Sequence, residues 1–480
     1  MRKLLLLLSL VMFLACTQRQ AKDVVDELPP IFPDYIGVTV PCNIAPLNFG
    51  IDEATHIQAV LRNGTDVCVE VSGKDYIDIS LRDWRKLTAK GGDIEVTTSV
   101  WNEEHPDGVT YKPFLIHVSA DSIDPWIIYR LLPPGYEGWN RMGIYERNLS
   151  SWEERTLMEN SQVNGGCINC HAFANYSPKN FMIHVRGEGG GTIVYHNGNL
   201  EKVDIKSMEP HKHGSYNMWH PSGRYIAFTS NATHQSFYGQ SRDKIEVYDL
   251  WSDLIIYDVE QHRVIYDERF MNEDSQEIFP AFSPDGKWLY FSTAKPVVMP
   301  KEFNKMHYSI IRVPFDERDA SLGEVDTLYS AHVLGGTALM PRISPDGRYM
   351  IYTVADCGAF NLYHNESDFQ MMDLETRDTI DMRPLNSDQM ESYHAWSSNG
   401  HWLLFASKRI DDRYTRLFMA HWDGQKWSRP FLLPQRCPEQ NTLLLMAYNI
   451  PEFILEPIEF PRDEMANMFR SDGVNNRNLN

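Results

Sequence analysis

Cys167-Ile168-Asn169-Cys170-His171 sets two thiols three positions apart, with an imidazole directly after the second. Four chemistries use such a pattern. Two thiols at this spacing form thioethers to both vinyl groups of a haem, and the next histidine then sits under the iron as its proximal ligand. Structural zinc asks for four closed ligands; the chain has no second Cys-x-x-Cys pair, although His211-Lys212-His213 offers imidazoles. A redox dithiol asks for a strand before the motif and a helix after it. A local disulfide leaves His171 without a role. The pattern favours a covalent haem c on Cys167 and Cys170, with His171 on the iron. His213 and His211 are the first candidates for the opposite iron position, with Met182, His184 and Met208 behind them. An open sixth position is equally compatible, and points to sensing or peroxide chemistry in place of electron transfer.

Haem of this kind is attached outside the bacterial cytoplasm, so the start of the chain matters. Arg2 and Lys3 precede an apolar run from Leu4 to Leu14 that is too short to span a bilayer. Ending that run on Ala15-Cys16 resembles a bacterial lipoprotein signal, which implies an acylated Cys16 and a membrane anchor; the alternative is an ordinary secretory signal. Export permits disulfides. Cys42 and Cys68 lie in strand-like segments of one region and form the favoured pair, while Cys357 and Cys437 stay undecided. The formal charge of −20 argues against a nucleic-acid partner.

The motif must be positioned by its surroundings, and the second half of the chain repeats. "MWHPSGRYIAFTSN", "AFSPDGKWLYFSTA", "RISPDGRYMIYTVA" and "AWSSNGHWLLFASK" align without gaps, and "NYSPKNFMIHVRG" is a weaker copy. Each has a Gly-ended turn followed by alternating apolar residues, which is a hairpin. Further strand-like runs follow each hairpin, so the unit reads as a four-stranded β-propeller blade. These repeats resemble those of the Tol-system propeller. Five blades are visible between 175 and 460; a sixth is expected from "NTLLLMAYNIPEFI" or from an earlier strand. Alignment puts Glu277 and Glu391 at one register and Pro280, Pro341 and His394 at another. Glu277, Glu391 and His394 are therefore candidates for a cation or polar-ligand site at the channel mouth, weighed against ordinary rim charge. "RGEGGGT" lacks the Lys-Ser/Thr and following helix of a phosphate loop and reads as a turn.

Residues 31–135 alternate in seven short runs, from "YIGVTV" to "WIIYRLL", and read as a β-sandwich. Residues 136–174 form a connector in which Ser150 or Ser151, with Glu153 or Glu154, looks like a helix capping box and Gly165-Gly166 like its end. The fold class expected is all-β: signal 1–16, linker 17–30, sandwich 31–135, connector helix with the haem motif 136–174, a five- or six-bladed propeller 175–460, and a disordered tail 461–480.

"IDPWIIYRLLPPGYEGWNRMGIYERNL", "GGCINCHAF", "FMIHVRGEGGGT" and "YHAWSSNGHWLLFASKR" together resemble a family of exported, Bacteroidetes-type lipoproteins that join a Tol-like propeller to a c-type cytochrome motif. The resemblance spans nearly the whole chain and implies haem attachment and no further function. The leading expectation is a membrane-anchored monohaem electron-transfer protein with an unidentified redox or envelope partner. A non-redox propeller binding or scaffold protein, and a haem-dependent sensor or peroxidase, are the alternatives. No hydrolase triad or nucleophile elbow is present.

Overall fold

A computed structural model of the chain describes residues 19–133, 141–188, 190–203, 205, 214–237, 245–459 and 462–470. The chain is all-β, with a propeller as its main body. The N-terminal strands form one seven-stranded sheet. In it Val67–Gly73 pairs with His56–Asn63, and that strand with Gly92–Trp101. The long strand Gly92–Trp101 then pairs with Phe114–Ser119 along one half and Val109–Thr110 along the other. Alternation buries one face, carrying Ile57, Ala59, Leu61, Ile94 and Val96. The layer over that face is not a second sheet. It is the irregular run carrying Tyr35, Leu47 and Phe49, a helix Leu81–Thr88 carrying Trp84 and Leu87, and a propeller blade carrying Trp402 and Leu404. Ser80 caps that helix by accepting from the Asp83 amide.

Six blades follow. Their inner strands are Cys167–Phe173, Ser215–Trp219, Gln276–Phe282, Thr337–Ile343, Glu391–Trp396 and Ala447–Ile454. Each lies against the next and the last against the first, so they ring one axis. In four blades the turn after the inner strand ends on a glycine at positive φ: 75° at Gly223, 71° at Gly286, 76° at Gly347 and 74° at Gly400. This is the left-handed region that a Cβ disfavours. At Gly286 an added Cβ would also lie 2.4 Å from His220 Nε2.

The ring is closed by joining the two ends of the chain. Ala447–Ile454 pairs with Trp126–Leu132, which pairs with Gly143–Asn148 and then Glu154–Glu159. The propeller therefore begins at Trp126, and "WIIYRLL" belongs to the closing blade, not to the N-terminal unit. Arg416 is fully buried and donates to the carbonyls of Asn441, Leu444 and Met446. That fixes the excursion delivering the closing strand to the axis.

Two local expectations change for the same reason, that tertiary pairing overrides local propensity. The residues read as a connector helix form the strand Glu154–Glu159 and one 3₁₀ turn, Asn160–Val163. A capping box is present, but its partners are Glu159 and Gln162. Residues 462–470, assigned to a disordered tail, form a helix whose Met465 and Phe469 are buried against the first and closing blades. Among the described residues no helix is long and apolar enough to cross a membrane.

Candidate functional site

The motif is not a connector. Cys167–Phe173 is the inner strand of the first blade, antiparallel to Asn180–Arg186. The haem-type residues therefore stand beside the propeller axis.

Every inner strand carries a register shift at the same level. In five of them a residue there takes positive φ: 49° at Tyr216, 54° at Phe279, 56° at Met340, 43° at Tyr393 and 46° at Ile450. A bulge of this kind re-aims side chains, and here the re-aimed rings meet. Tyr216 and Phe279 have ring centroids 4.4 Å apart, and Phe360 sits 5.9 Å from Tyr216 and 6.4 Å from Tyr393. Phe360 comes from a loop of the fourth blade and packs this aromatic cluster across the channel.

On one side of the cluster is a cavity of about 50 Å³, lined by Cys170, His171, Asn217, Arg342, His394 and Glu452 among others. Beyond it a funnel of about 310 Å³ is walled by Tyr176, Trp219, Phe282, Trp396 and Phe453. Arg342, Tyr393, His394, Ile450 and Glu452 border both spaces and form the funnel floor. Burial at this floor pushes the Glu452 carboxyl up to about 8, against the opposing pull of the Arg342 guanidinium and a Phe173 backbone bond. Glu452 is thus mostly neutral at pH 7, while a guanidinium keeps its charge. Burial pushes His394 down to about 3. Its Nε2 lies 3.0 Å from the Ile351 carbonyl, so Nε2 carries the proton. The floor therefore presents the Arg342 guanidinium, whose pKa burial lowers, with a mostly neutral carboxyl inside aromatic walls.

His171 is buried, and neither ring nitrogen makes a hydrogen bond of good geometry; the Ile450 backbone is its polar neighbour. Burial, reinforced by the Arg130 guanidinium, pushes it down to about 3, so it is a neutral imidazole. Cys167 and Cys170 are free thiols, and burial raises that of Cys170. As donors these residues suit haem c. As placed, they do not hold one. Cys170 pairs across the strands with His184, and His171 with Ile183. Cys170 and His171 both border one cavity, just after the register shift between Ile168 and Cys170. Small-molecule pockets run to about 300–1,000 Å³, and the cavity at Cys170 and His171 is about 50 Å³.

The other expected residues fall in different places. His211, His213, Met208 and Cys16 lie outside the described residues. His184 bonds Thr192 Oγ1 through Nδ1 at 2.9 Å, and Met182 packs between the first two blades. Glu277, Glu391 and His394 do not gather at the mouth, because only His394 reaches it. Glu277 is fully buried and accepts from Thr293 Oγ1 at 2.9 Å. Glu391 is fully buried against Arg409, Ser387 and Ser407. Cys42 and Cys68 are not joined. Cys42 follows Thr39–Pro41 at one edge of the N-terminal sheet and Cys68 lies on its opposite edge strand. Strands are about 4.8 Å apart, and a disulfide needs Cα atoms within about 7 Å.

Arg342 and Glu452 were not anticipated, yet a signal exists. In the aligned repeats the residue after Pro280, Pro341 and His394 is Ala281, Arg342 or Ala395. With Met218 at this position in the remaining aligned repeat, the arginine is the one charged residue among four. Glu452 occupies the same position in "IPEF" of the closing strand, which lacks the turn that marks the other repeats.

Neither a protein-family model nor a curated protein matches the chain. Among solved structures, it is similar to the periplasmic gluconolactonase of Pseudomonas aeruginosa, at 13% identity and a TM-score of 0.37, over 64% of this chain and 96% of that one. It is also similar to the β-propeller domain of the Trilobed protease from Pyrococcus furiosus, at 13% identity and a TM-score of 0.32, over 64% of this chain and 81% of that one. Likenesses this distant carry no argument about activity.

Proposed function

We propose that the chain is an exported propeller binding protein that takes a small, ring-bearing anion into its axial funnel. The observation that carries this is the Arg342 guanidinium at the floor of an aromatic-walled funnel, beside a carboxyl that is mostly neutral at pH 7. The guanidinium offers a planar fork that matches a carboxylate or phosphate. Trp219, Trp396 and Phe282 border the space left for the body of the ligand with apolar atoms. Anchoring through Cys16 would hold this funnel at the cell envelope, where an envelope protein is the proposed partner.

Intrinsic fluorescence tests the reading, because Trp219 and Trp396 line the funnel. Glucuronate and benzoate at pH 7 are expected to change the emission saturably, and their neutral counterparts glucose and benzyl alcohol are not. Arg342→Ala should weaken the anions at least about tenfold, the scale of one charge-assisted hydrogen-bonded contact. Equal binding of anions and neutral counterparts, or no loss in Arg342→Ala, rejects it.

A second reading, haem-bearing, is favoured by the neutral His171 ring, which makes no hydrogen bond of good geometry, next to two free thiols. It requires Cys167–Phe173 to leave the blade. Protein produced with a haem c maturation system, then denatured, separates the two readings. A pyridine-haemochrome spectrum with one covalent haem per chain supports this second reading, and a colourless chain removes it.

A further inference from the structure

Away from the axis, Asp121, His401 and His421 converge where the N-terminal sheet meets the fifth blade. Their ligand atoms all lie within 4.8 Å of one another. His421 Nε2 is 2.8 Å from Asp121 Oδ2, and His401 Nε2 is 3.9 Å from Asp121 Oδ1. We propose that these three side chains bind a divalent transition metal of the zinc class, which clasps the N-terminal sheet to the propeller.

The tautomer of His401 is set by its surroundings. Its Nδ1 lies 3.1 Å from the Trp422 carbonyl, which only accepts, so Nδ1 carries the proton and Nε2 presents a lone pair toward Asp121. Orientation of a metal-binding imidazole by a backbone carbonyl on its other nitrogen is the usual supporting contact at such sites. His421 Nε2 faces the same carboxylate, and Ser119 Oγ stands 3.1 Å from that nitrogen. A metal would replace the proton now shared between His421 and Asp121. Two imidazoles and one carboxylate form the donor set of zinc and its neighbours, while calcium and magnesium ask for oxygen alone.

The carboxylate is held in place independently of any ion. The segment from Ser119 to Asp124 links the last sheet strand to the closing blade, and it is bonded to a turn of the fifth blade. Asn399 Nδ2 donates to the Ser122 carbonyl at 2.7 Å, the Ser398 amide donates to Asp124 at 2.7 Å, and Trp402 Nε1 donates to the Asp121 carbonyl at 3.3 Å. Ligands from two units are therefore fixed relative to each other, so little ordering remains to oppose binding. His401 and Asp121 are 41% and 37% exposed, which leaves an entry path and room for water as a further ligand.

Zn²⁺ titration of the untagged full chain by calorimetry tests this, with His401→Ala and Asp121→Asn compared directly. Wild type is expected to bind one Zn²⁺ more per chain than either variant and to melt at higher temperature with Zn²⁺ than with chelator. Each variant should lose that increment. Zinc taken up by the buried thiols appears equally in all three proteins and cancels. Co²⁺ at the site should give weak ligand-field bands with no thiolate charge-transfer band. Identical stoichiometry in wild type and both variants, or a thiolate band that accounts for all the bound cobalt, overturns the proposal. Both variants lie on the half-exposed part of the cluster, and unchanged melting in chelator shows that they fold.

Discussion

A chain from which residues 447–480 are deleted does not form a closed propeller and has no cooperative melting transition. The deletion removes the inner strand Ala447–Ile454 and the helix Arg462–Arg470. With them go Tyr448, Phe453, Ile454, Ile458, Met465 and Phe469, all buried. Burying one large apolar side chain is worth about 1.5–3 kcal/mol. Six together rival the roughly 5–15 kcal/mol by which whole domains are stable. The loss also exposes Trp126–Leu132 as an unpaired, apolar edge, which is a template for association. Thermal unfolding followed by circular dichroism, with size-exclusion chromatography, measures both effects. Supplying residues 447–470 as a separate peptide should restore the transition. A truncated chain that stays monomeric and melts cooperatively would show that the closing blade does not depend on its C-terminal strand.

Glu391→Ala is the single substitution with the largest expected cost, about 3–5 kcal/mol, the range for removing one partner of a buried ion pair. Glu391 is fully buried and accepts from Arg409 Nη2 at 2.7 Å, Ser387 Oγ at 2.6 Å, Ser407 Oγ at 2.9 Å and the Ser387 amide at 3.0 Å. Alanine leaves a largely buried guanidinium and two hydroxyls without that acceptor. Glu277 occupies the same register in the third blade, but its partners are the Thr293 and Ser275 hydroxyls, and burial pushes it up to about 7. Its folded pKa is raised, so its contribution is fully present below the unfolded value near 4.5 and is lost as pH rises through about 7. Glu277→Gln should therefore raise the denaturant midpoint at pH 8 and leave it nearly unchanged at pH 4.5. Equal effects of the two substitutions at pH 8 would contradict this electrostatic distinction.

The propeller was legible because its turns are local. Ser-Pro-Asp-Gly before an alternating run encodes a hairpin without reference to the rest of the chain, and Gly286 and Gly347 carry the positive φ that such turns use. Closure was only half legible: "AYNIPEFI" reads as a strand, but its partner Trp126–Leu132 lies far away in sequence and looks locally like one more strand of the first domain. The helix Leu81–Thr88 carried a signal in Ser80, Asp83, Trp84 and Leu87, within a segment read by its β-alternation. At the site, Cys-x-x-Cys-His lies on an inner strand beside the axis, and that strand conformation depends on pairing with Asn180–Arg186, for which the motif carries no local signal. Arg342 and Glu452 come from the fourth and closing blades, which the fifth separates, and they reach one floor only when the ring closes, so neither residue announces the other in the sequence.

The pH dependence of anion binding tests the funnel most directly. Glucuronate and benzoate stay ionised throughout the range from pH 6 to 9.5, and so does Arg342, whereas Glu452 ionises near pH 8. Affinity measured by tryptophan fluorescence should be level from pH 6 to 7 and fall at least about tenfold by pH 9.5, as a second negative charge appears beside the ligand. In Glu452→Gln the fall should vanish while binding at pH 7 is kept. Affinity that stays constant or rises through pH 8 in the wild-type chain, or that falls equally in Glu452→Gln, would contradict an anion site built on Arg342.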